Sequence, residues 1–191
     1  KEIGKLGFLG IDVPEKFGGI DLDKTAACIV LDALSSGKSA SFMVTVSAHT
    51  GIGTLPIVWY GSEEQKQKYL PKIASGEYLS CYALTEPNAG SALTDLKTKA
   101  EVMSNKIVVN GQKRWCSGAG HSDGYVVYCR LSDEPGANGI GAVFLEKGAD
   151  GFSFGKREHH MGFRGIHHAD MYFDNVEVPL GNLIVPAGGF K

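Results

Sequence analysis

The spacing of hydrophobic positions changes near residue 80, and the two parts of the chain predict different structures. Before that point, apolar residues recur at intervals of three and four, which is the period of a helix with one buried face. After it, apolar and polar residues alternate and turn-forming residues recur, which is typical of short strands. The pattern predicts an α+β protein, in which a helical N-terminal domain precedes a compact barrel or sandwich of strands.

Capping residues and small residues set the bounds predicted for the first helices. Residues 1–9 have the pattern of a helix end. Asp21 or Asp23 can cap a helix that runs to about Ser36. A further helix is predicted over 39–60, and we expect it to be buried because it is rich in small residues that permit close packing.

A capping box opens the next predicted helix. Ser62 and Gln65 have the required spacing, with Ser at the N-cap and Gln at the third helical position, and the helix is expected to run to about Ser75. Pro71 lies inside it and lacks a backbone N–H, so we expect a kink or two short helices.

Strand signals follow in the second part of the chain. Asn110 and Gly111 stand between strand-like flanks, which predicts a hairpin with a type I′ turn. Further strands are predicted at 125–130, 141–145 and 171–173. The segments between them carry Gly, Asn, Asp or Pro, so the strands are expected to be short.

Composition and charge exclude several classes of protein. The 191 residues carry 19 Lys and Arg against 21 Asp and Glu, and this balance argues against nucleic-acid binding, which favours a basic excess. No stretch approaches the roughly 18 apolar residues that a membrane span needs. The four cysteines form no Cys-x-x-Cys pair, so we expect reduced thiols in an intracellular protein rather than disulfides or a zinc ribbon.

Two short motifs resemble a dinucleotide-binding fingerprint and a metal site, but the sequence favours a structural interpretation of each. Residues 118–124 nearly match the Gly-x-Gly-x-x-Gly fingerprint, but the third glycine is one place late and a strand is expected to follow, which favours a turn. The histidine pairs at 159–160 and 167–168 suggest a metal. Adjacent strand residues point to opposite faces, however, and no carboxylate or cysteine stands at a familiar ligand spacing, so we predict no metal site.

Segment 82–91 passes from the helical region into the strand region and is the most informative part of the chain. The hydroxyls of Thr85 and Ser91 are suited to face a polar ring or a phosphate, although an ordinary structural loop explains the segment equally well. At the end of a predicted strand, the Trp115 indole and the Ser117 hydroxyl are suited to a planar cofactor with a ring nitrogen. A tryptophan buried in a barrel is the alternative.

Together these segments resemble the acyl-CoA dehydrogenase family. The Thr-Glu-Pro-x-Ala-Gly-Ser loop is the most specific of them, and the order of the segments makes a chance match improbable. The resemblance covers nearly the whole chain. The matching residues are 18–19, 60–71, 83–91, 110–115, 161–165 and 173–179.

The resemblance implies a fold and a cofactor. The family has an N-terminal helical domain, a middle β-barrel domain and a C-terminal helical bundle. We therefore expect a helical domain over 1–79, a barrel domain over 80–185 and, over 186–191, the start of a third domain whose helical bundle is absent from this chain. In the family, FAD lies with its ring between the middle and C-terminal domains.

The resemblance also implies roles for individual residues. Thr85 would donate to the pyrimidine side of the flavin, Trp115 would pack near the ring and Ser117 would offer its hydroxyl to N5. Ser91 would contact the acyl-CoA near its phosphates or its thioester arm. The residues implied for the cofactor are Tyr82, Leu84, Thr85, Trp115, Cys116 and Ser117.

No catalytic residue is expected within this chain. The family's base is a Glu of the C-terminal domain, and Glu86, which precedes a proline in the cofactor loop, is better placed to brace that loop. The chain departs from the family at Ala92, where Asp is usual, and at Ser117, where Thr is common. Its paired histidines near 160 and 168 are also not typical, which suggests an unusual subfamily.

The activity implied is FAD-dependent α,β-dehydrogenation of an acyl-CoA thioester. An electron-transfer flavoprotein partner, a homodimer or homotetramer, and a bacterial cytoplasm or mitochondrial matrix are implied with it. An acyl-CoA oxidase, an enoyl-CoA reductase or a desulfinase of the same fold remains open. From a different class, a non-catalytic flavin- or acyl-CoA-binding module remains open as well.

Overall fold

The computed structural model describes residues 2–189, and the chain forms two compact units. The first contains the chain up to Cys81 and the returning segment His159–Ile166. The second contains Tyr82–Glu158 and the chain from His167 onward. The domain bounds expected from the sequence stay predictions, and residues 190 and 191 of the expected 186–191 segment lie outside the described part.

Helices form the first unit, as the hydrophobic period predicts. A π-helical segment, Ala48–Gly53, joins two of them within the stretch where one helix was expected. The α-helices in the described part of the chain are α1 (Glu2–Lys5), α2 (Lys24–Ser35), α3 (Ala40–Ser47), α4 (Leu55–Tyr60) and α5 (Glu63–Ser75).

Hydrogen bonds at the helix starts confirm both predicted caps. The Asp23 carboxylate accepts from the backbone N–H of Ala26 at 3.0 Å and caps α2. The Ser62 hydroxyl accepts from the Gln65 N–H at 3.2 Å, while the Gln65 side chain accepts from the Ser62 N–H at 2.7 Å. This reciprocal pair is a capping box and opens α5.

We expected Pro71 to cause a kink or to divide the last helix into two. Division is wrong, because α5 runs through Pro71 as one helix, and the kink stays a prediction. Leu70 and Ile73 flank the proline and are fully buried. Burial of each such side chain contributes about 1.5–3 kcal/mol, which is comparable with the roughly 3 kcal/mol that an interior proline costs.

The helical stretch Ala40–Tyr60 is long and apolar enough to cross a membrane, judged by length and composition alone. This corrects the expectation that no stretch approaches that length. The core helix of a soluble protein passes the same test, and 44% of the most apolar window is buried within the protein. The stretch is therefore weak evidence for a membrane span.

Within residues 2–189, eight strands form one sheet, and the strands predicted from alternation at 125–130, 141–145 and 171–173 all lie within it. The strands are β1 (Ser80–Ala83), β2 (Lys99–Val102), β3 (Lys106–Ser117), β4 (Gly124–Arg130), β5 (Ile140–Glu146), β6 (Phe152–Phe154), β7 (His168–Pro179) and β8 (Leu183–Val185). Those of the main path lie in the order β6-β7-β3-β2-β4-β5-β8, and β1 pairs with β4 off this path.

The sheet is open among residues 2–189, with β6 at one end of the path and β8 at the other. The protein is thus α+β, with helices followed by a sheet, and a closed barrel is not observed. Closure would require hydrogen bonds between the two end strands. The sheet's longest ladder instead joins β3 to β7, each of 12 residues.

The predicted hairpin turn at Asn110 and Gly111 is wrong, because β3 continues through both residues. The ladder with β7 shifts its register between Val109 and Gly111, which marks a bulge rather than a turn. Gly111 has φ of 142°, and an added Cβ would lie 2.7 Å from Thr98. The glycine thus permits a close approach inside a strand.

Candidate functional site

The loop that follows β1 lies directly against β3. The Arg114 N–H donates to the Thr85 carbonyl at 2.8 Å. One residue earlier, the Lys113 ammonium donates to the Leu84 carbonyl at 3.0 Å. These two bonds bring together two segments that the sequence predicted to face a cofactor, although the residues joined by each bond are 29 positions apart.

Glu86 braces this loop, as expected from its position before Pro87. Its Oε1 accepts from Lys113 Nζ at 2.8 Å and from the Thr98 N–H at 2.9 Å. Its Oε2 accepts from the Lys97 N–H at 2.6 Å. Both carboxylate oxygens are therefore used in holding the loop to β3 and to the chain that enters β2.

Glu86 and Lys113 form a buried ion pair, with side-chain exposures of 7% and 0%. Burial favours the neutral form of each group. For Glu86 this is outweighed by the Lys113 charge and by the hydrogen bonds, and the pKa of the carboxyl is lowered. Burial lowers the pKa of Lys113, against the opposing charge of Glu86. We therefore take Glu86 as a charged group that organises the loop.

A bulge in β3 re-aims the Trp115 side chain. The β3–β7 register shifts between Lys113 and Cys116, and Trp115 has φ of 54°, which is uncommon for a bulky residue. Its N–H donates to Asp170 of β7 at 3.4 Å. The residue is 55% exposed, so the alternative of a tryptophan buried in a barrel is wrong. Bulges of this kind recur beside functional sites.

Ser117 ends β3, directly opposite the first residue of β7. Its Oγ lies 2.9 Å from His168 Nε2, and the two residues are register partners in the ladder. Cys116 has a different environment, because its side chain is buried and its thiol lies 3.7 Å from the Arg114 carbonyl. Any contact of Cys116 with a ligand at this edge is therefore left to its backbone.

The remaining predicted residues lie along the same loop. Tyr82, Leu84 and Thr85 are half-buried, and Leu84 packs against a small core cluster formed by Ala89, Leu96 and Ile140. Backbone bonds between Glu86 and Ala89, at 3.0 and 3.2 Å, close a tight turn in the loop. Ser91 lies beyond this turn and is exposed.

Sequence reasoning missed three residues that shape the site: Lys113, Asp170 and His168. A signal existed for Lys113, because it is a charged residue at a buried position of a strand. Asp170 and His168 hold Trp115 and Ser117 from the neighbouring strand, more than 50 residues later in the chain. Their pairing depends on the register of β3 with β7, which no local pattern specifies.

The other histidines of the second unit do not converge on a metal. Within residues 2–189 no group of three His, Cys, Asp or Glu side chains is placed to hold one. The His121 and His167 rings are in edge contact, with their centroids 4.4 Å apart. Burial and the neighbouring His121 and Arg157 lower the pKa of His167, which favours its neutral form.

The donors at this edge fit a flat, acceptor-rich ligand. Two hydroxyls and an exposed indole lie on the paired segments. The Arg114 Nε is in addition buried without a hydrogen-bond partner among the described residues, and its guanidinium lies over the Trp115 ring, 4.9 Å from the centroid. Buried donors usually have an acceptor, so a ligand oxygen or nitrogen beside Arg114 would complete the site.

An α+β chain that presents hydroxyls and an exposed indole along one sheet edge has the features of a ligand-binding protein. The sequence pattern of the acyl-CoA dehydrogenase N-terminal domain matches residues 1–77, and that of the acyl-CoA dehydrogenase middle domain matches residues 81–176. The chain belongs to the acyl-CoA dehydrogenase family.

Individual relatives agree with this assignment. An acyl-CoA dehydrogenase of Bacillus subtilis is 39% identical over 98% of this chain and 49% of its own length. The mitochondrial isovaleryl-CoA dehydrogenase of Solanum tuberosum is 38% identical over 98% of this chain and 45% of its own length. The chain thus spans about half the length of these relatives.

A solved structure identifies the cofactor of a close relative. The acyl-CoA dehydrogenase of Bacillus anthracis, complexed with FAD, superposes with a TM-score of 0.90 at 39% identity, over 99% of this chain and 32% of its own. Butyryl-CoA dehydrogenase of Megasphaera elsdenii gives a TM-score of 0.92 at 31% identity, over 98% of this chain and 50% of its own. These comparisons indicate FAD as the cofactor.

Proposed function

We propose that the protein containing this chain performs FAD-dependent α,β-dehydrogenation of an acyl-CoA thioester, and that this chain supplies part of the flavin and substrate site. The observation that carries the proposal is the joining of the Thr85 loop to the strand bearing Trp115 and Ser117 by the bonds at 2.8 and 3.0 Å. Family membership and the FAD-bound relative support it.

In this proposal the edge of the sheet binds the flavin. Thr85 donates to the pyrimidine side of the ring, Ser117 donates to N5, and the exposed Trp115 covers part of the ring. Tyr82, Leu84 and the Cys116 backbone complete the lining, and Ser91 contacts the acyl-CoA. Bound FAD supplies the capacity to accept a hydride from the β-carbon of the substrate.

The chain's own residues bind and orient rather than transfer protons. The buried Glu86–Lys113 pair fixes the loop, so that the Thr85 hydroxyl is held in place before the ligand arrives. The half-buried Leu84 side chain and the Trp115 indole exclude water from the flavin ring. The base that removes the α-proton is assigned outside this chain, because Glu86 is fully engaged in bracing.

Relatives suggest the substrate and the partner. Several are named as dehydrogenases of isovaleryl-CoA or isobutyryl-CoA, which makes short branched acyl chains reasonable first substrates. A structure from work on an electron transferring flavoprotein of Acidaminococcus fermentans superposes with a TM-score of 0.92, which supports an electron-transfer flavoprotein as the partner. We extend the proposal to a homodimer or homotetramer in the bacterial cytoplasm or the mitochondrial matrix.

An oxidase is the second candidate, and one comparison favours it. The prolyl acyl carrier protein oxidase AnaB superposes with a TM-score of 0.94 at 28% identity, over 99% of this chain and 50% of its own. A fold match alone does not decide between electron acceptors. A binding module without catalysis, an enoyl-CoA reductase and a desulfinase have no separate observation in their favour.

The test uses the full protein that contains this chain. FAD content is measured from the visible spectrum, and turnover of a panel of acyl-CoA thioesters is measured with an artificial electron acceptor and with oxygen alone. Stoichiometric FAD and turnover only with the artificial acceptor are expected. Rapid oxygen consumption would favour the oxidase, and FAD binding without turnover would favour the module. A protein that takes up no FAD would contradict the proposal.

A further inference from the structure

Arg130 is the last residue of β4, and its side chain donates to backbone carbonyls of two separate loops. Nη2 donates to the Thr94 carbonyl at 2.7 Å, and Nε donates to the Leu96 carbonyl at 3.5 Å. Nη1 donates to the Glu134 carbonyl at 2.9 Å. One half-buried side chain thus connects the loop between β1 and β2 to the loop between β4 and β5, and we call this contact the Arg130 bridge.

The backbone of Arg130 is anchored in the sheet. Its N–H donates to the Thr98 carbonyl at 2.8 Å, and its register partners are Lys99 in β2 and Ile140 in β5. The planar guanidinium carries its N–H groups in a fixed fork. The bridge therefore holds both loops at set positions relative to the sheet.

The segment 94–98 is held by two groups of opposite charge. The Glu86 carboxylate accepts from the N–H groups of Lys97 and Thr98, at 2.6 and 2.9 Å. Arg130 donates to carbonyls of the same segment. Because hydrogen bonds to charged groups are roughly twice as strong as neutral ones, these contacts fix the path of the backbone.

Ser91, which is proposed to contact the acyl-CoA, lies just before this segment. After it, Leu93–Asp95 forms one turn of 3-10 helix, in which the Asp95 N–H donates to the Ala92 carbonyl at 3.1 Å. Arg130 binds a carbonyl of this turn. Because Ser91 is exposed, the path of its backbone, rather than packing of its side chain, sets the position of its hydroxyl.

We propose that Arg130 is a positioning residue for the acyl-CoA, because its bridge holds the loop that carries Ser91 in the place where the substrate meets it. This inference rests on the proposed function, since it takes the ligand of Ser91 to be an acyl-CoA. A loop that is already ordered does not have to be ordered on binding, which lowers the cost of association. Loss of the bridge should therefore weaken substrate binding and leave the flavin largely unaffected.

The competing explanation is the positive charge of Arg130. Within residues 2–189 the guanidinium donates to carbonyls and forms no ion pair with a carboxylate, so its charge would attract the phosphates of the CoA moiety. Lysine separates the two explanations. It keeps the charge, but its single nitrogen lacks the fork that reaches carbonyls of both loops.

Two substitutions at Arg130 test the bridge in the full protein that contains this chain. Arg130→Met and Arg130→Lys should each raise the KM for an acyl-CoA thioester about 3- to 10-fold, with kcat and FAD content within about twofold of the parent. Lys106→Met removes an exposed cation of the same unit and is the matched control. It should leave the KM unchanged.

Gly139→Ala disturbs the bridge without changing any charge. A Cβ at this position would lie 2.7 Å from Arg130 Nη1 and closer still to the Glu134 carbonyl oxygen, so the guanidinium and the loop must move apart. Residues 133–136 are exposed, which leaves the loop room to shift. We expect a similar rise in KM, and the double variant Gly139→Ala, Arg130→Met should raise the KM no further than the larger single change.

Three results would overturn the inference. An Arg130→Lys protein with the KM of the parent would show that charge alone is sufficient. Increases in KM that multiply in the double variant would show two separate effects. A loss of FAD that matches the rise in KM would show general support of the fold. Each of these results leaves the proposed function standing, because the parent protein still turns over its substrate.

Amide hydrogen exchange measures the bridge without turnover. Arg130→Met should speed exchange in both 94–98 and 131–139, whereas Lys106→Met should leave both segments unchanged. Unchanged exchange in either segment of the Arg130→Met protein would overturn the inference. A parent protein that takes up no FAD would instead contradict the proposed function, and the exchange rates would still decide whether Arg130 holds the two loops.

Discussion

A buried histidine in the first unit and a buried ion pair in the second show two ways of placing a polar group inside a protein. His49 is neutral: its Nε2 lies 3.0 Å from the Ile73 carbonyl, and its Nδ1 accepts from the Ser80 N–H at 3.2 Å. Glu86 and Lys113 are charged and hold each other and the loop. The effect of His49 on the free energy of unfolding therefore changes with pH near neutrality. The effect of the ion pair depends instead on both of its members being present.

The largest effect is expected from breaking the ion pair. Lys113→Met keeps much of the side-chain volume but leaves the Glu86 carboxylate buried without its countercharge. Removing one member of a buried pair costs roughly 3–5 kcal/mol. Denaturant unfolding should therefore show a loss of about this size, and FAD binding should weaken because the Leu84 carbonyl loses its donor.

The double variant Glu86→Gln, Lys113→Met is the control for this first prediction. It removes both charges, so part of the lost stability should return. A single Lys113→Met variant that unfolds at the same denaturant concentration as the parent would contradict the description of a buried, charged pair.

The second prediction concerns pH, and it depends on His49. Burial lowers the pKa of His49 below its ordinary 6.5, while its backbone hydrogen bonds oppose that shift. Below pH of about 6.5 the unfolded chain takes up a proton that the folded chain does not. Stability should therefore fall as the pH drops below this value, by up to about 1.4 kcal/mol per pH unit, until the folded pKa is reached.

His49→Gln tests this assignment without removing the contacts. The glutamine amide can donate to the Ile73 carbonyl and accept from the Ser80 N–H, yet it does not titrate. Chemical unfolding at a series of pH values should show a shallower decline below pH of about 6.5 for this variant than for the parent. Equal slopes in the two proteins would show that His49 does not carry the effect.

Structural features that are set by neighbouring residues were predicted from the sequence. Features that are set by residues far apart in the chain were missed. Asp23 and the Ser62–Gln65 pair act within one helical turn, so their spacing was sufficient. The Asn110–Gly111 turn failed because β3 pairs with β7 along its whole length, and this pairing outweighs local turn preference. The hydrogen bond between the Asn175 N–H and the Asn110 side chain, at 2.8 Å, spans the same ladder.

The residues of the candidate site also fall into those that the sequence predicted and those that it missed. The Thr85 loop and the Trp115–Ser117 segment were found by resemblance, because their residues form specific local motifs. The partners Lys113 and His168 were not, because each meets its partner only through the fold, at separations of 27 and 51 residues. Motifs thus located the edge that would face a ligand, and the structure was needed to show what holds it.

The smallest effect is expected from an exposed ion pair on the same strand. Lys106 Nζ lies 2.6 Å from Glu177, but these side chains are 36% and 58% exposed. Because water already solvates both charges, Lys106→Met should change the free energy of unfolding by about 0–1 kcal/mol, and added salt should reduce even that. The substitution repeats Lys113→Met seven positions earlier in β3, so burial is the main difference between the two experiments. Similar losses from both variants would contradict the conclusion that burial of the charge sets the cost.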